Sequence, residues 1–114
     1  MGSSFIPDSK AMLAFDWLKD NAGTAAAARA ERERAEWNLK QVKARLQRTS
    51  NETTVQARED SALIHPDFQE AVDRLCEAIR ADEEFRNNRN RAEALLEAWR
   101  TASANERAFT KGAA

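Results

Sequence analysis

Apolar positions along this chain recur at helical spacing, and no strand-like alternation of Val, Ile and Thr interrupts them. The clearest run is Ala28, Arg32, Ala35, Leu39, Val42 and Leu46, whose steps of 4, 3, 4, 3 and 4 are those of a coiled-coil seam. A second run, Phe68, Val72, Leu75 and Ile79, keeps the same rhythm. From Leu75 a further register continues through Ala78, Asp82, Phe85, Arg89, Ala92, Leu96 and Trp99. Two helices zipped along these seams in opposite directions would set Leu46 beside the Phe68–Val72 turn, Val42 by Leu75 and Leu39 by Ile79. The seam residue Arg32 would then meet the stretch from Asp82 to Arg86.

The expected fold is therefore all-α: an antiparallel, coiled-coil-like hairpin of long helices with short N-terminal and connecting helices. After a tail over 1–8, a first helix is expected over 9–20, capped by Asp8, with Met12, Leu13, Trp17 and Leu18 as its apolar stripe. Asn21-Ala22-Gly23 reads as its stop and Thr24 as the cap of a second helix over 24–48. The hydroxyl- and amide-rich Thr49–Thr54 is a loop, and Thr53 with Gln56 forms a capping box for a helix over 54–64. His65-Pro66 ends that helix and Pro66 suits the first position of the next, over 66–101, leaving 102–114 frayed. At 114 residues the chain has room for one domain.

Charged residues make up 32% of the chain, above the usual share of about 25%, which suits solvent-washed helices around a thin core. The net charge of -1 exerts no global pull on nucleic acid or anionic lipid. One cysteine allows no intrachain disulfide. No apolar run reaches the roughly 18 residues of a membrane span, and no secretory signal pattern opens the chain. Met1-Gly2-Ser3-Ser4-Phe5 resembles a myristoylation motif, but Ile6 stands where Ser or Thr is required. The expectation is a soluble, cytoplasmic protein without membrane contact.

Charge is nevertheless uneven. Residues 24–48 carry 7 basic and 3 acidic side chains, a balance of +4, whereas 65–114 carry 8 and 10, a balance of -2. Lys40, Lys43, Arg45 and Arg48 are the candidate nucleic-acid contacts. The competing and favoured assignment turns the basic helix towards the acidic one, because charge complementarity sets helix partner and register. Arg86-Asn87-Asn88-Arg89-Asn90-Arg91 weakens a helix by about 2 kcal/mol without a Gly or Pro to break it. It reads as a polar belt with an Arg89–Glu93 pair at i,i+4 spacing.

The chemistry of catalysis is sparse. His65 and Cys76 are the sole residues of their kinds, and eleven residues of helix separate them by about 15 Å, too far for direct proton transfer. They read as a capping histidine and a small semi-buried thiol. No clustered His and Cys ligands suggest a metal, and no glycine-rich phosphate loop or nucleophile elbow is present. We expect no enzyme, no catalytic residue, no cofactor and no metal. The eight aromatic residues, three Trp and five Phe, lie at seam spacing.

A helix over 66–100 would run about 52 Å, against a diameter of roughly 34 Å for a compact chain of this length. Leu13 and Trp17 are expected to pack on Leu96 and Trp99, yet apolar surface remains uncovered, which suggests a homodimer. Trp37, Trp99 and Arg100 are the candidate partner-binding residues, since Trp and Arg dominate interface hot spots. Core packing competes for both tryptophans.

The second half, "HPDF…EAVDRL…AI…RNRAEALLEAWRTASANERA", resembles a group of small helical proteins of tailed bacteriophages and prophages. The likeness spans about residues 28–108 and rests on Pro66, Glu93, Glu97, Trp99, Arg100, Asn105, Arg107 and Ala108. The N-terminal "FIPDSKAMLAFDWL" lies outside it. The resemblance implies a gene near early or recombination genes, a non-catalytic helical protein acting on a phage or host protein partner, and a role accessory to phage DNA metabolism. Two alternatives stand beside it: an inhibitor of a host defence complex of the anti-CRISPR kind, and a DNA-binding protein using the basic 24–48 helix.

Overall fold

The computed structural model describes residues 6–113, so the Met1–Phe5 motif and most of the expected 1–8 tail lie outside it. Three helices account for the fold: α1 (Asp8–Thr49), α2 (Val55–Leu63) and α3 (Pro66–Ala113). Among the described residues there is no strand. The chain forms a helical hairpin in which α1 and α3 pair side by side. It divides into two compact units: a terminal unit of Met1–Thr24 with Phe85–Ala114, and a central unit of Ala25–Glu84.

The expected stop at Asn21-Ala22-Gly23 is not one, and the separate helices over 9–20 and 24–48 are a single α1. A glycine terminates a helix by taking a positive φ, and no described glycine does. Gly23 instead keeps helical geometry, costing about 1 kcal/mol against alanine. The four alanines from Ala25 offset that cost, and the Asn21 side-chain amide donates to the Trp17 carbonyl one turn back. Thr24 is thus an interior helical residue. Asp8 also sits inside the first turn, with Pro7 offering its carbonyl to the amides of Lys10 and Ala11.

The cap of α2 falls one residue later than expected: Thr54 accepts from the Ala57 amide at 3.1 Å. Gln56 turns away to Asp60. His65 caps α3, its Nδ1 accepting from the Asp67 amide at 3.0 Å, with Pro66 in the first helical position as expected. The helix runs unbroken through Asn87–Asn90 and on to Ala113, past the expected fraying at 102. No proline interrupts it there, and the asparagine penalty is smaller than the cost of exposing a new pair of helix ends.

Within the central unit the expected seam is the buried face. Ala35 and Leu46 are buried, and Ala28, Arg32, Leu39 and Val42 are half-buried. The register also stands: Arg32 meets Asp82 at 3.2 Å and Glu83 at 3.0 Å, while Arg45 reaches Asp67 at 3.3 Å. As α1 descends from 45 to 32, α3 climbs from 67 to 82, so the pair is antiparallel. The short helix α2 lies against it through Ala62, 1% exposed, and through the Lys43–Glu59 pair at 3.2 Å.

In the terminal unit the core is Ala11, Ala14, Ala92 and Leu96, with Trp17, Leu18, Leu95 and Trp99 packed against it. Of the expected apolar stripe, Trp17 and Leu18 pack against this core, whereas Met12 and Leu13 are exposed. Three of the four core residues are alanines, and the bulkier Trp17, Leu18, Leu95 and Trp99 pack against them part-buried.

Gly23 has open space where a Cβ would go. Gly23→Ala is therefore expected to stabilise the protein by about 1 kcal/mol and to raise Tm by roughly 4 °C, read by thermal circular dichroism. An unchanged or lower Tm would show that the helix is interrupted at that position.

Candidate interaction surfaces

The one buried charged residue among those described is Asp82, at 6% exposure. Its carboxylate accepts from the Arg32 guanidinium, which also binds Glu83 and lies 3.7 Å from Glu36. Hydrogen bonds to Glu83 and then Asp82 hold the Arg32 pKa above its ordinary value, against the opposing pull of desolvation. This cluster is a lock on the helix register. A carboxylate buried in the seam without its guanidinium is costly, so slipped pairings are disfavoured.

Ion pairs also occupy two of the four residues proposed for nucleic acid. Lys43 is held by Glu59 and Arg45 by Asp67, while Arg34 pairs with Glu31 on the surface. Lys40 lies over the Trp37 ring, 4.9 Å from its centroid. Arg48 occupies the exposed last turn of α1. On α3, Arg80 holds the Glu77 carboxyl below its usual range and is itself raised by it. The Glu77 contribution is present above the unfolded carboxylate pKa and lost as pH falls through the lower folded one. On an exposed face it is small.

The three candidate partner residues have different surroundings. Trp99 is half-buried against the terminal core, and its indole Nε1 donates to Asp8 Oδ1 at 2.9 Å, so it serves packing. Arg100 pairs with Glu97 on the exposed side of α3. Trp37 is 64% exposed. Core packing, one of its two expected roles, is excluded: two residues beyond Ala35, it lies about 200° around the helix from the seam. That angle was available from the sequence.

Other expectations need correction. Cys76 is exposed rather than semi-buried. Arg89 and Glu93, both exposed, form no ion pair among the described residues. The aromatics do not all follow the seam, since Phe15, Trp37 and Phe109 are exposed.

Sequence reasoning also missed a groove in the terminal unit. Leu13, Ala14, Trp17, Ala92 and Leu95 line it, with Lys10, Asn88 and Arg91 as its polar members, and it encloses about 410 Å³. Among the described residues, no group of three or more His, Cys, Asp or Glu side chains is placed to hold a metal ion. No described helix is long and apolar enough to cross a membrane.

No family model, curated protein or solved structure matches the chain.

Three variants test the register lock. Arg32→Ala should lower Tm more than Arg34→Ala, whose partner Glu31 is exposed. Arg32→Leu combined with Asp82→Leu should recover the loss, as buried ion pairs are commonly replaceable by apolar side chains. Equal effects of Arg32→Ala and Arg34→Ala in thermal melts would contradict the lock.

Proposed function

We propose that this chain is a non-catalytic helical interaction protein that works by presenting helix faces to a protein partner. One observation carries the reading: side-chain size is inverted between interior and surface. Among the described residues, seven of the nine buried apolar ones are alanines, while Met12, Leu13, Phe15, Trp37, Val55, Leu63, Ile64 and Phe109 are exposed. Burying a Leu, Phe or Met side chain is worth about 1.5–3 kcal/mol, and a partner that covers these groups recovers that energy.

The roles of the reactive residues support the non-catalytic reading. The His65 Nδ1 is committed to capping α3, and the Cys76 thiol is exposed on the same helix. The ion pairs on Lys43 and Arg45 weigh against a DNA-binding role for α1, since counterion release requires cations free to meet phosphate. The resemblance to small phage proteins supports a role accessory to phage DNA metabolism in the cytoplasm of a host bacterium. Homodimerisation is the simplest way to cover part of the exposed apolar surface.

Site-specific photo-crosslinking in the host cell tests the proposal. A benzophenone side chain at Met12, Leu13 or Trp37 should give discrete adducts, whose masses separate a second copy from another protein. The exposed polar position Lys19 should give none. Adducts at none of the three positions, or the same adducts at Lys19, would overturn the reading.

A further inference from the structure

We propose that the groove of the terminal unit receives an amphipathic helix of a partner protein whose apolar stripe is flanked by acidic side chains. This rests on the interaction-protein reading and names both the site and the kind of occupant.

The groove lies between two antiparallel helices, which is where a third helix packs ridge into groove. Its apolar lining comes from both walls: Leu13, Ala14 and Trp17 on α1, and Ala92 and Leu95 on α3. Leu13 is 69% exposed. A side chain so placed has most of its apolar area left for an incoming helix to bury.

Charge selects the occupant. Lys10 and Arg91 are the groove's two charged residues, and both are cations. Among the described residues neither forms an ion pair, unlike Arg32, Lys43, Arg45, Arg74, Arg80 and Arg100. The central unit shows what such an arrangement accepts. There the same pair of helices is covered by α2, which buries Ala62 and meets Lys43 with Glu59. The terminal unit has no third helix of its own among the described residues. A second copy docking groove to groove would set Lys10 and Arg91 against Lys10 and Arg91, and like charges oppose that pairing.

The test uses the full chain and two synthetic helical peptides. They share a leucine stripe at i, i+4 and i+7, flanked in one by glutamates and in the other by lysines. Binding is read by fluorescence anisotropy, with thermal melts of each variant confirming that it folds. The glutamate peptide should bind, and its affinity should fall with added salt. Leu13→Glu and the double change Lys10→Glu, Arg91→Glu should each weaken it by about tenfold or more. The charge-reversed protein should favour the lysine peptide. Equal binding of both peptides, no binding of the glutamate peptide, or indifference to these substitutions would overturn the proposal. So would a dimer in sedimentation equilibrium that Leu13→Glu dissociates, since a second copy would then own the groove. If the peptide fails while crosslinks at Trp37 persist, the groove assignment falls and the broader reading stands.

Discussion

Alanine at most of the buried positions is the constraint on which the rest of the structure depends. In the central unit Ala35, Ala71 and Ala78 are buried with Leu46, and in the terminal unit Ala11, Ala14 and Ala92 with Leu96. Side chains this small bury little area each, so the seam gains stability from close backbone approach and many small contacts rather than from a bulky interior. Larger residues placed directly in that contact would force the helices apart. They are consequently found at its flanks, as with Trp17, Leu95 and Trp99, or on the outer surface, as with Trp37.

The alanines in the seam specify register weakly, because one alanine fits opposite another at several offsets. The polar cluster of Arg32, Asp82 and Glu83 supplies what the alanines lack. The Arg32 guanidinium meets both carboxylates in this alignment, and a slip by a turn takes it away from the buried Asp82. Specificity of pairing and thinness of core are thus two consequences of the same choice of residues.

Much of this was legible in the sequence, for a reason particular to the helices involved. The 4,3 spacing from Ala28 to Leu46 identifies a face without reference to any partner, and the arginine in it pointed to the acidic stretch at 82–86. What escaped was decided by local competition or by size. Gly23 reads as a stop until the alanines after it are weighed against its cost. Thr53 and Thr54 are chemically alike, so only geometry chooses the cap. Met12 and Leu13 look like core because hydrophobicity suggests burial, whereas the helix turns Ala11 and Ala14 inward to bring the backbones together. The groove was hidden for the same reason, since its lining depends on that rotation. Trp37 lay opposite the seam by angle alone and needed no coordinates to place.

The central claim is that Ala35 lies in the buried seam while Trp37, two residues on, faces outward. The most direct measurement compares the stability of two variants by chemical denaturation. Ala35→Leu, at a position 2% exposed, should lose about 1–3 kcal/mol through overpacking, while Trp37→Gln, 64% exposed, should stay within about 0.5 kcal/mol of the parent. A tolerated Ala35→Leu together with a large loss from Trp37→Gln would contradict the account, for it would place the tryptophan in the core and the alanine outside it.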